Sequence, residues 1–124
     1  MINRNSFPND YGKSSEYAEE SKLTEVLETP EKYDGKLIRV TGICHIAFEG
    51  NCIYVSKKDY KRSNWENAVW LDLNHISDEI VYTELERFTG KEVVIEGIFN
   101  GKEHGHFSVY SGELEDVSFI GHAQ

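Results

Sequence analysis

Apolar and polar residues alternate through most of the chain, and that alternation predicts strands. In Leu37-Ile38-Arg39-Val40-Thr41 it puts Ile38 and Val40 on one face and Arg39 and Thr41 on the other. Gly42 interrupts the run and Ile43 to Phe48 resumes it, which predicts a bend or bulge in one long strand. Glu49-Gly50-Asn51 reads as a turn before a strand at Cys52 to Ser56. A polar loop from Lys57 to Asn67 leads to a strand at Ala68 to Leu73. Strands return at Glu92 to Phe99, His106 to Tyr110 and Leu114 to Ile120, with turn signals at Asn100-Gly101 and Ser111-Gly112. Two stretches read as helix. From Ser15, Tyr17, Leu23, Val26 and Leu27 are the apolar positions among Glu and Lys, and Pro30 ends that helix at or before Thr29. Asp78 to Phe88 is the second, against the β-branched preference of Ile80-Val81. Residues 1–14 are polar and read as a loose arm before a single domain spanning 15–124.

The chain echoes itself. Tyr33-Asp34-Gly35-Lys36, followed by an alternating strand and Gly42-Ile43, matches Phe88-Thr89-Gly90-Lys91 followed by a similar strand and Gly97-Ile98. Two copies are too few for a solenoid. Two bent strands, each entered from a helical segment through a glycine, suit a small closed barrel whose first and fourth strands lie side by side. The expected fold is mainly β with minor α: a five-stranded barrel like the oligonucleotide/oligosaccharide-binding (OB) barrel, with an N-terminal helix and one helix between the third and fourth strands.

Charge narrows the partners. Thirteen basic against twenty-two acidic side chains give a net charge of −9, a field that repels phosphate backbones and favours basic partners. The charge is uneven. Lys36 to Glu66 holds six basic residues against three acidic ones, with Tyr54, Tyr60 and Trp65 interleaved. Residues 78–116 hold ten acids against three bases. The first ten residues lack an apolar stretch and no run approaches the roughly 18 apolar residues of a membrane span, so the expectation is a cytoplasmic protein with no membrane partner.

Catalytic signatures are missing. No Gly-x-Ser-x-Gly occurs, and neither glycine-lysine segment has phosphate-loop spacing. His104-x-His106 is the one close histidine pair, too few ligands for a zinc site. With a two-residue turn at Gly50-Asn51, Glu49 faces Cys52, and Cys44 lies about five residues further along the ladder on the opposite face. At roughly 3.4 Å per residue that is beyond disulfide reach, so both cysteines are expected as free thiols. Neither an enzyme, nor a metal, nor a cofactor is expected.

From Pro30 to Leu73 the residues Pro30, Tyr33-Asp34-Gly35-Lys36, Gly42, Phe48-Glu49-Gly50-Asn51, Ile53-Tyr54, Asp59-Tyr60 and Asn67-Ala68-Val69-Trp70 form a pattern that resembles a group of short uncharacterised bacterial proteins. It departs from the group at Ala47, where an acid is usual, and in carrying Trp65. In size and charge the chain is also similar to immunity proteins of polymorphic and contact-dependent toxin systems.

That likeness implies a non-enzymatic domain that binds and occludes a cognate basic toxin such as a nuclease. The carboxylates expected to face the toxin are Asp78, Glu79, Glu84, Glu86, Glu103, Glu113, Glu115 and Asp116, with Tyr60, Trp65 and Tyr110 as aromatic anchors. The alternative is an OB-type module binding nucleic acid or oligosaccharide through the basic aromatic segment 54–65; the net charge makes nucleic acid the less favoured partner.

Overall fold

A computed structural model describes residues 9–47, 50–77 and 79–123, with the backbone alone of 79–81. Residues 1–8 of the expected arm, Phe48 at the end of the expected strand, Glu49 of the expected turn, Asp78 and the side chain of Glu79 lie outside the described residues.

Five strands close into a barrel: β3 (Leu37–His45), β4 (Cys52–Tyr54), β5 (Ala68–Leu71), β6 (Glu92–Asn100) and β7 (Glu113–His122). β3 pairs antiparallel with β4, β4 with β5, and β7 with β6; β5 and β7 run parallel, and β3 pairs with β6 to close the ring. Two short outer strands complete the sheet. β1 (Asp10–Gly12) lies antiparallel on β7, and β2 (Glu19–Glu20) parallel on β3.

The period-2 pattern fills the interior as read from the sequence. Ile38, Val40 and Cys44 of β3, Ile53 of β4, Val69 and Leu71 of β5, and Val93, Ile95 and Phe99 of β6 share one buried cluster. Arg39 and Thr41 face outward, so alternation and burial agree on β3. Among the described residues four short helices decorate the barrel: α1 (Leu23–Glu28), α2 (Pro30–Tyr33), α3 (Lys57–Lys61) and α4 (Glu79–Leu85). α4, followed by a 3₁₀ turn at Glu86–Phe88, lies between β5 and β6 and sends Leu85 and Phe88 into the core. No helix among the described residues is long and apolar enough to cross a membrane.

The sequence echo is a structural one. Its two copies pair with each other, Leu37 opposite Ile98 and Gly42 opposite Val93. Gly35 donates its N–H to Phe99 and Gly90 donates its N–H to Cys44, both at 2.8 Å. Phe99 and Cys44 return N–H bonds to Lys36 and Lys91, both at 3.0 Å. Gly35 and Gly90 have φ of +78° and +82°, a turn conformation in which a side chain is strained.

The helix expected from Ser15 does not form. Glu96 projects from the outer face of β6, yet is fully buried because residues 14 and 15 lie across it. Its carboxylate accepts bonds from the Ser14 hydroxyl, the Ser15 N–H (2.8 Å) and Arg39 Nε (3.1 Å). Arg39 also donates to the Ser15 carbonyl at 2.7 Å, and its own carbonyl accepts from Ser21 N–H. With those groups engaged by the barrel, the chain turns at 15–18, where Ala18 N–H bonds to the Ser15 carbonyl at 3.3 Å, and then pairs as β2; Tyr17 is exposed, and helix begins only at Leu23.

Three further expectations change. His106 to Tyr110 is not a strand: Tyr110 N–H bonds back to His104, and residues 106–108 form a 3₁₀ turn. The irregularity expected at the echo glycines occurs at one of them: at Gly97 the β6–β7 pairing shifts, between Glu96–Phe119 and Ile98–Glu115, with the extra residues on β7, whereas β3 passes Gly42 in regular register with β6. The cysteines are free but close, since His45 rather than Glu49 faces Cys52 and Cys44 faces Ile53. What separates them is the face: Cys44 points into the barrel and Cys52 into a second cluster outside it.

Candidate functional site

That second cluster sits on the outer face of β3, β4 and β5, where alternation brings Ile43, Cys52, Tyr54 and Ala68 together under Tyr60, Trp70, Val109 and Tyr110. The segment expected as a plain polar loop holds the covering side chains in place. Ser56 caps α3: its hydroxyl accepts from the Asp59 N–H at 3.1 Å and donates to the Asp59 carboxylate at 2.7 Å. The other Asp59 oxygen accepts from the side-chain amides of Asn64 and Asn67, at 3.0 and 3.1 Å. Partial burial works against the Asp59 charge, but these bonds and nearby Lys58 hold its carboxyl below the usual range. One carboxylate thus fixes α3, the turn after it and the start of β5, and with them Tyr60 and Trp65.

Between these elements runs a groove of about 430 Å³, lined by His45, Gly50, Tyr54, Tyr60, Lys61, Ser63, Trp65 and Tyr110. Tyr54 and Tyr110 are buried in its floor, whereas Trp65 is 46% exposed on its rim. Lys57, Lys58, Lys61 and Arg62 are exposed on and beside α3. The rings meet at angles rather than in a parallel slot: Tyr54 on Tyr60 at 75°, His45 on Tyr60 at 48°, and Trp70 on Tyr110 at 55°. A larger depression of about 490 Å³ beside α1 has no aromatic, histidine or thiol in its lining.

The floor is electrically quiet at neutral pH. Cys52 shares hydrogen bonds with Tyr54 and Tyr110, and burial still pushes its thiol up to about 12. Burial raises both tyrosines too, Tyr110 to about 12. Burial lowers the pKa of His45, favouring neutral imidazole, and its buried Nδ1 has no hydrogen-bond partner among the described residues.

Beyond the floor the aromatic row continues. Trp70 lies 5.3 Å from Tyr110 and stacks against His106, which abuts Phe107. Phe107 is 78% exposed with a φ of +60°. His104 and His106 are engaged separately, His104 through Nδ1 to the Tyr110 carbonyl at 2.8 Å. Among the described residues no three His, Cys, Asp or Glu side chains are grouped to hold a metal.

The acidic residues do not form one face. Glu84 accepts a bond from the Tyr11 hydroxyl, Glu86 is exposed beside α4, and Asp116 is exposed on the β7 bulge with a φ of +49°. Glu103, Glu113 and Glu115 do gather, with Asp72. Burial first, and then the charges of Glu115, Asp72 and Glu103, raise the Glu113 carboxyl pKa. This patch adjoins the aromatic row, because Glu113 is the β7 partner of Trp70.

No family model, curated protein or solved structure matches the chain. The likeness to short bacterial proteins rests on the pattern residues alone.

Of the three aromatic anchors read from sequence, Tyr60, Trp65 and Tyr110 all line the groove. Sequence reading missed His45 and Ser63. His45 is visible in retrospect as a residue one position beyond Cys44 and therefore on the face opposite it, but Ser63 reaches the groove through a backbone with φ +50° that no alternation signals.

Proposed function

We propose that the chain is a non-catalytic binding module on an OB-like barrel, holding its partner on the outer face of β4 and β5. The observation that carries this is the aromatic groove of Tyr54, Tyr60, Trp65 and Tyr110. The barrel order supports the OB-like reading: its third and fifth strands run parallel, its first and fourth pair, and α4 lies between its third and fourth. OB barrels bind ligands on the face of the second and third strands and with the first–second and fourth–fifth loops. Here the groove lies on that face, with Gly50 and Tyr110 contributed by those two loops. The non-catalytic reading is supported by Cys52, the thiol nearest the groove, whose pKa of about 12 keeps it protonated.

An array of glycans, oligonucleotides and basic proteins tests the proposal, using the unmodified chain beside Tyr60→Ala/Trp65→Ala. Loss of the bound probe in the double variant is expected. Retention of every bound probe would overturn the groove as the site.

A second reading is favoured by the carboxylate patch beside Trp70: an immunity-type inhibitor that docks a basic toxin on Asp72, Glu103, Glu113 and Glu115. On that reading Glu113→Gln/Glu115→Gln loses a basic protein that Tyr60→Ala/Trp65→Ala retains.

A further inference from the structure

The groove differs from a nucleic-acid platform in three respects that together define a ligand. Its ring pairs Tyr54–Tyr60 and His45–Tyr60 meet at 75° and 48°, so neither forms the flat slot that a nucleobase fills on both faces. Its polar groups are mostly neutral: the Ser63 hydroxyl, His45 and the backbone at Gly50. Its cations lie on one side only, with Lys61 in the lining and Lys57, Lys58 and Arg62 beside it, whereas the aromatic row leads on the other side through Tyr110 and Trp70 to Glu113, Glu115 and Asp72.

A long polyanion laid along that row passes from lysines onto carboxylates, and the whole chain carries −9. A short acidic ligand with apolar C–H faces and several hydroxyls ends on the lysine side of the row, before those carboxylates, and avoids that repulsion. About 430 Å³ accommodates roughly two sugar rings at ordinary packing density.

Resting on the groove as the binding site, we infer that its ligand is a short acidic saccharide. One pyranose lies against the exposed Trp65 ring beside Tyr60, its hydroxyls bond to Ser63, and its carboxylate faces Lys61.

Both tryptophans of the chain belong to the aromatic surface, Trp65 in the groove and Trp70 against Tyr110, so intrinsic fluorescence reads the site directly. The probes are trigalacturonate, maltotriose and hexathymidylate, each titrated at about 0.02 and 0.2 M salt. Trigalacturonate is expected to perturb the emission with a dissociation constant between about 10 μM and 1 mM, and maltotriose to bind about tenfold more weakly. Lys61→Gln should remove that tenfold preference. Trp65→Ala should abolish both responses, and Trp65→Phe should restore binding followed through Trp70. Hexathymidylate binding more tightly than trigalacturonate would overturn the ligand class and keep the groove. No response to either saccharide, with array probes still lost in Tyr60→Ala/Trp65→Ala, would likewise overturn the saccharide alone. Array probes retained by that double variant would overturn the groove itself.

Discussion

Tyr60 meets Tyr54 edge-on, with ring centroids 5.8 Å apart and planes at 75°. Tyr54 is a fully covered floor residue and Tyr60 is only half-buried, so this contact joins the fixed barrel to the groove wall. Tyr60→Ala is expected to cost about 1–2 kcal/mol, from the lost ring contact and apolar burial, with the fold retained. Urea unfolding followed by circular dichroism checks this. A loss above about 4 kcal/mol would make Tyr60 a core residue rather than a wall of the site.

Glu96 is the buried charge on which the amino-terminal segment is fastened. Glu96→Gln keeps the shape but leaves Arg39, 26% exposed at its side chain, with the exposed Glu20 as its one ionic partner among the described residues. The expected loss is about 2–3 kcal/mol, less than for a fully buried orphan because water reaches Arg39. Hydrogen exchange should show the Ser15 and Ser21 amides losing protection before the amides of β3 and β6. Uniform exchange across all of them would mean that this segment does not open separately.

Alkali should weaken the fold in a defined window. Cys52 rises from an ordinary 9.0 to about 12 and Tyr110 from 10.0 to about 12, and Cys44 and Tyr54 shift the same way. Each is held protonated in the fold, so the unfolded chain releases its proton first. Stability is therefore complete below about pH 9 and declines as pH rises toward 12. Urea unfolding at a series of pH values gives the profile, and Cys52→Ala should flatten its onset. A level profile up to about pH 11 would contradict the burial of these groups.

Glu113 titrates in the acid range with the same sign. Its carboxyl is raised above 4.5 by burial and by Glu115, Asp72 and Glu103, so its protonated form is favoured in the fold and its contribution is lost as pH rises above about 4.5. Glu113→Gln should therefore stabilise the protein at pH 7, by about 0.3–0.5 kcal/mol once solvent screening is allowed for. The gain should shrink near pH 4 and in high salt. Thermal melts under these three conditions decide it; destabilisation at pH 7 would show that the charged form makes a contact worth more than the repulsion.

Much of the barrel was legible because alternation is a local signal. Ile38, Val40, Val93 and Ile95 announce their burial by spacing alone, and the echo announces which two strands meet. The amino-terminal helix misread has a long-range cause. Glu25 to Leu27 sit in a helix on their own pattern, but Ser14 and Ser15 are held against the barrel by Glu96 and Arg39, which are distant in sequence. The site was legible in pieces. Tyr60 and Trp65 stood out as aromatics among lysines; Asn64 and Asn67 both donate to the Asp59 carboxylate, which ties those three positions together. The approach of Tyr110 was hidden because the loop before it folds back on itself, with Gly105 packed so closely that a Cβ there would lie 2.5 Å from that of Trp70.

The paired turns at Gly35 and Gly90 are near-equivalents, with the same hydrogen bonds and nearly the same φ, yet their surroundings differ. A side chain begun at Gly35 meets nothing within 4 Å, whereas one begun at Gly90 meets the Tyr60 hydroxyl at 3.3 Å. The barrel therefore has a local dyad with two matching corners, one bare and one roofed by α3. The binding face exists where that internal symmetry is broken, and the inserted stretch from Ser56 to Asn67 is what breaks it.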